Sequence, residues 1–105
     1  LPARILSGGE RRILSIARGL MCSPKLLLID EPSLGLAPKL KETVYEMLKG
    51  ISSQGISILI VEEKIDYLRN FADKIFVLES GRIVLSGESH EILNSKDELL
   101  SAYVG

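Results

Sequence analysis

Three short segments of this chain carry residue types and spacings suited to phosphate chemistry. The first is Leu6-Ser7-Gly8-Gly9-Glu10. Ser7 followed three residues later by Glu10 has the form of a capping box, in which the hydroxyl accepts from the Glu10 backbone N–H and the carboxylate reaches back. A cap accounts for Ser7 and Glu10 but not for two glycines in a first helical turn, each roughly 1 kcal/mol worse than alanine. Bare backbone at a helix N-terminus lets an anion approach free N–H groups at the positive end of the dipole. On the pentapeptide alone, a phosphate contact and a plain cap both stand. The second segment is Leu27-Leu28-Ile29-Asp30-Glu31-Pro32. An acid directly after a buried strand can hold Mg²⁺ bridging nucleotide phosphates, and a second acid can orient or deprotonate water. The alternative is a solvated Asp-Glu-Pro turn. The third is Glu62-Glu63-Lys64, read either as part of the same edge or as a solvated charge cluster.

The elements that must position these residues follow from periodicity. Ile13, Ile16, Ala17, Leu20 and Met21 recur at helical spacing from near Ser7, with Arg11, Arg12 and Arg18 largely off that face. Pro24 forbids continuation. Leu26 to Ile29 run without alternation, which predicts a strand covered on both faces. Pro38 suits a first helical turn, and Leu40, Val44, Met47, Leu48 and Ile51 make a buried stripe that Gly55 ends. Ile56 to Val61 predict a second buried strand, and Ile65, Leu68, Phe71 and Ala72 a third, shorter helix. Strand, helix, strand in this order forms a parallel crossover. Two neighbouring parallel strands bring Asp30-Glu31 and Glu62-Glu63 to one edge of the sheet, where ligands of open α/β sheets bind. Ser80-Gly81 between Ile75–Glu79 and Arg82–Ser86 signals a hairpin. Ser89, and the Ser-x-x-Glu run Ser95–Glu98 ahead of Leu99, Leu100 and Tyr103, predict short closing helices.

Composition narrows the function classes. The chain has 105 residues, with 13 Lys+Arg against 14 Asp+Glu. That near-balance leaves no electrostatic footprint for nucleic acid or an anionic membrane. A single cysteine, Cys22, excludes a disulfide framework within the chain and is expected to be a small buried or half-buried thiol. No apolar run approaches the ~18 residues of a membrane span, so a cytosolic setting is expected. The mean hydropathy of +0.22 is high for so small a domain. With Leu1 first and a motif almost at once, it suggests a piece of something larger.

Taken in order, these segments resemble the C-terminal part of an ATP-binding-cassette (ABC) transporter ATPase subunit. Residues Leu6 to Glu10 look like the signature motif. Leu26 to Asp30 look like the Walker B strand, with Glu31 at the catalytic carboxylate position. Ser33-Leu34-Gly35-Leu36 lies where the family has its D-loop, and Ile58 to Lys64 on the strand and loop that carry the switch residue. Residues 31 to 38, Leu36 in place of the superfamily's usual aspartate, and the closing Ala102-Tyr103-Val104-Gly105 are similar to the ATPases of branched-chain amino acid uptake systems.

The resemblance implies a partial P-loop NTPase fold of class α/β, with parallel strands, crossover helices and a C-terminal hairpin. Residues 1–105 would be the C-terminal portion of the cassette, without the phosphate-cradling Gly-x-x-x-x-Gly-Lys-Ser/Thr loop. Two such ATPase subunits would pair head to tail with ATP and Mg²⁺ at the interface, on membrane permease subunits at the inner face of the cell membrane. Ser7, Gly8, Gly9 and Glu10 would meet the γ-phosphate bound by the partner, Asp30 would hold Mg²⁺, and Glu31 would polarise water. The switch position, usually His and in part of the subfamily Gln, is Glu63, and a carboxylate there repels a γ-phosphate. The lone histidine, His90, reads as a surface helix residue. A non-catalytic truncated or split cassette acting only by association is the rival reading. A response-regulator-like domain fits the order of the acids poorly.

Overall fold

The computed structural model describes residues 8–94. Leu6, Ser7, the predicted Ser95–Glu98 cap with its following helix, and the tail 102–105 lie outside them. The elements are α1 (Gly8–Leu20), β1 (Leu26–Asp30), α2 (Pro38–Ser53), β2 (Ser57–Val61), a 3-10 turn (Ile65–Leu68), β3 (Lys74–Glu79), β4 (Arg82–Glu88) and α3 (Ser89–Asn94). Two compact units divide them after Glu63.

In the first unit β1 and β2 pair in parallel, from Leu26 opposite Ser57 to Asp30 opposite Val61, with α2 as the crossover. Pro38 opens α2 without a side-chain cap. Gln54 closes it, and Gly55 follows at φ +95°, with its N–H donating to the Ser52 carbonyl at 3.0 Å. This left-handed stop needs a glycine. Ile16 of α1, Leu27 of β1, Leu36, and Val44, Leu48 and Ile51 of α2 form the buried core.

Gly9 is buried in α1, and a Cβ on it would lie 2.6 Å from Leu40 Cδ1 of α2; a Cβ on Gly8 would meet nothing within 4 Å. Helix packing therefore favours the second glycine, since a larger residue would have to shift the Leu40 side chain, and leaves the first without a packing reason. Gly19 sits likewise against Leu27, at 3.3 Å.

The strands are covered on one face, not both. Leu27 is buried and Ile29, Ile58 and Ile60 are half-buried, whereas Leu26, Leu28, Leu59 and Val61 are each more than half exposed. Among the described residues β1 and β2 pair only with each other, and the side chains on their second face are left exposed. Met21 and Cys22 also depart from expectation. The helix ends at Leu20, leaving Met21 83% exposed and the Cys22 thiol at the surface of the turn.

The second unit is a hairpin with α3 on it. Ser80 and Gly81 both have positive φ, 49° and 79°, the pattern of a type I′ turn whose twist matches the strands. Val84 is the extra residue of a bulge between the Leu78–Ile83 and Val77–Leu85 pairs. Ile75 and Ile92 are buried. Gly87 lies opposite Ile75 in register, and a Cβ on it would lie 3.1 Å from Glu91 Oε2 and in ordinary contact with Ile92. His90 is exposed on α3, as read from the sequence. The expected third helix is only the 3-10 turn. Arg69 is extended and Asn70 enters the left-handed region at φ 62°, which asparagine tolerates and a helix does not. Phe76, Leu78 and Ile83 are more than half exposed on the hairpin.

Two outcomes follow. Gly8→Ala should leave the chain more stable than Gly9→Ala, by about 1 kcal/mol, since both gain helix propensity but only the second must displace Leu40. Thermal unfolding followed by circular dichroism measures this, and equal midpoints would remove the packing role of Gly9. The open strand edges and exposed apolar rows should also make the 105-residue chain self-associate. Sedimentation of a clean monomer that unfolds cooperatively would contradict that.

Candidate functional site

The parallel register places the acidic segments side by side. Asp30 is the last residue of β1 and lies opposite Val61, the last of β2. The Glu31 N–H continues the ladder for one more bond, to the Val61 carbonyl at 2.7 Å. Asp30-Glu31 and Glu62-Glu63 therefore leave adjacent strands at the same C-terminal edge, as the sequence predicts. Asp30 is exposed and Glu31 half-buried.

Glu31 then turns sharply, at φ 46°. That left-handed conformation costs roughly 1–2 kcal/mol for a residue with a Cβ. It ends the strand and starts two consecutive turns, Leu34 N–H to Glu31 carbonyl at 3.1 Å and Leu36 N–H to Ser33 carbonyl at 3.2 Å. Gly35 takes φ +75° in the second, a position where glycine carries no steric penalty. Pro32, Ser33 and Leu36 are buried beneath this loop.

A side chain outside the three chemistry-bearing segments holds the loop. Arg12 projects from α1, and its Nη1 donates to the carbonyls of Glu31 at 2.9 Å and Pro32 at 2.6 Å. Its Nη2 donates to the Leu34 carbonyl at 3.1 Å. Its position held a signal: Arg12 lies three residues after buried Gly9 and four before buried Ile16, which places it beside the covered stripe rather than off it.

Glu62 is no merely solvated charge, because the Tyr45 hydroxyl of α2 donates to its Oε2 at 2.5 Å. That leaves Glu63 and Lys64 as the exposed members of the cluster. At the start of α1, Gly8 is exposed with open space around its Cα, while Gly9 packs on Leu40. Ser7, the other half of the predicted cap, lies outside the described residues.

The donor set can be tested against Mg²⁺. Among the described residues no three His, Cys, Asp or Glu side chains form a group that could hold a metal. A single exposed Asp30 at the strand end suits Mg²⁺, which keeps several waters and takes one or two carboxylates alongside substrate phosphates rather than a full protein cage. No helix among the described residues is long and apolar enough to cross a membrane.

Comparison with known proteins supplies the family. The family described as ABC transporter matches residues 2–34. The chain is 40% identical over 103 residues to the high-affinity branched-chain amino acid transport ATP-binding protein BraG of Pseudomonas aeruginosa, covering 98% of this chain and 44% of that protein. It is 36% identical over 100 residues to the energy-coupling factor transporter ATP-binding protein EcfA2 of Streptococcus agalactiae, covering 95% of this chain and 36% of that one. Its fold superposes on the ADP conformation of MJ1267, an ATP-binding cassette of an ABC transporter, with a TM-score of 0.85 and 33% identity, over 96% of this chain and 41% of that one. The chain thus spans less than half the length of the relatives it matches. With the acid-bearing strand ends and the glycine-led helix in the predicted order, the chain belongs to the ATP-binding cassettes of the ABC transporter family.

Proposed function

We propose that residues 1–105 are the signature-to-C-terminus portion of a cassette that hydrolyses ATP to drive amino acid import, branched-chain amino acids being the substrate class. The observation that carries the reading is the parallel pairing that sets Asp30 and Glu31 beside Glu62 and Glu63 at one strand edge. The similarity to BraG favours the substrate class, and residues 31 to 38 agree with it.

In this reading Glu31 orients and deprotonates the attacking water, its carboxylate carried on a backbone that turns out of the sheet. Asp30, free at the strand end, is the residue that would hold Mg²⁺, which supplies charge neutralisation on the phosphates when bound. Ser7, Gly8, Gly9 and Glu10 present the N-terminus of α1 to a nucleotide held by a second cassette, where free N–H groups stabilise charge developing on the γ-phosphate. Of the two glycines, Gly8 has open space around it and Gly9 packs on Leu40. Glu63 occupies the switch position, where its negative charge opposes the γ-phosphate and slows hydrolysis. A second ATPase subunit and membrane permease subunits complete the assembly, which sits at the inner face of the membrane.

The test is a full-length cassette in which these 105 residues replace the matching stretch of BraG. Glu31→Gln should lower Mg-ATP hydrolysis by about 100-fold or more, the size of a lost general base. Unchanged turnover would remove Glu31 from the chemistry. Glu63→His should raise turnover, by about tenfold, by exchanging repulsion for a hydrogen-bond donor. A rate that stays flat or falls would mean that the switch function lies elsewhere.

A further inference from the structure

Arg12 makes an unusual set of contacts for a helix-surface arginine. One guanidinium donates to three carbonyls of a single loop: Glu31, Pro32 and Leu34. These carbonyls lie between the end of β1 and the start of α2. The Glu31 carbonyl has one further donor, the Leu34 N–H of its own turn. Pro32 and Ser33 are buried, and carbonyls in such a loop need partners. The planar fork of an arginine can serve several acceptors at once, always charged, and its bonds are about twice as strong as neutral ones.

The first of the three carbonyls belongs to Glu31, whose own φ of 46° is the least favourable feature of the loop. A peptide plane held at its oxygen fixes ψ of the residue that carries it. Arg12 therefore anchors the backbone from which the Glu31 side chain leaves.

We propose that Arg12 is a positioning residue for the Glu31 carboxylate. By fixing the Glu31, Pro32 and Leu34 carbonyls from α1, it holds the left-handed turn that aims the carboxylate past the end of β1. The inference rests on the reading of Glu31 as the water-activating group. It gives Arg12 no contact with nucleotide, so its loss acts on the chemical step and not on ATP affinity.

The experiment uses the BraG-based full-length cassette and measures steady-state and single-turnover ATP hydrolysis. Arg12→Gln should lower kcat at least about tenfold, because small displacements of a reacting group cost one to two orders of magnitude, while KM for Mg-ATP stays within about twofold. Arg12→Lys keeps the charge but not the fork, and should fall between the two. In the Glu31→Gln background, adding Arg12→Gln should remove no further activity, since the group it positions is already gone. Wild-type kcat in Arg12→Gln would overturn the proposal. So would a loss that multiplies onto that of Glu31→Gln, or a KM that rises in step, because both describe general damage. If Arg12→Gln does not yield folded protein, Arg12→Lys carries the same three comparisons. If Glu31→Gln itself leaves turnover intact, it is the reading of Glu31 that fails, and the Arg12 assignment fails with it.

Discussion

Everything at the candidate site depends on two strands running the same way. A parallel pair cannot be closed by a tight turn and must be joined by a crossover, here the loop 31–37 and α2. The crossover puts both strand C-termini at one edge. The register from Leu26–Ser57 to Asp30–Val61 aligns them to the residue. An acid that follows either strand then lies beside an acid that follows the other. Antiparallel pairing would send the two acidic segments to opposite edges.

The α1 helix converts that alignment into a defined geometry. It contacts the segment after β1 twice, through Arg12 on the loop carbonyls and through Gly9 against Leu40 at the start of α2. The energetic comparison favours the clamp. The left-handed Glu31 costs roughly 1–2 kcal/mol, whereas hydrogen bonds from a charged donor contribute about 1.5–3 kcal/mol each. Even after discounting for the exposed Leu34 contact, the guanidinium outweighs the turn it stabilises. The helix that carries the glycines and the loop that carries the acids are thus one packed structure within the first unit.

Much of this was legible in the sequence because it rests on local rules. The strand at Leu26 to Asp30, the Pro38 start and Gly55 stop of α2, and the Ser80-Gly81 turn each follow from residue type and period. The misses are tertiary. Continuous apolar runs predict strands covered twice, yet Leu28 and Leu59 are more than half exposed, because α2 and α1 bury only the alternate side chains, such as Leu27. Ile65, Leu68, Phe71 and Ala72 have helical spacing, but extended Arg69 and left-handed Asn70 follow a single 3-10 turn and prevent a longer helix. Cys22 is a small apolar residue by type and lies at the surface because α1 stops two residues before it. The apolar spacing puts Arg12 largely off the covered face, yet it lies three residues after buried Gly9 and four before buried Ile16, beside that face. Glu62 needed a partner, Tyr45, that lies 17 residues away in the chain.

The conformation of Glu31 bears on how such a segment evolves. A left-handed position filters substitutions before chemistry does: glycine, asparagine and aspartate enter easily, and valine, isoleucine and threonine are excluded by their branched Cβ. A lineage that relaxed selection on the carboxylate would drift first toward residues that keep the turn. The carbonyl sites for Arg12 belong to the backbone and would survive that drift. The loop can therefore outlast its acid, and descendants without the carboxylate would inherit its shape unchanged.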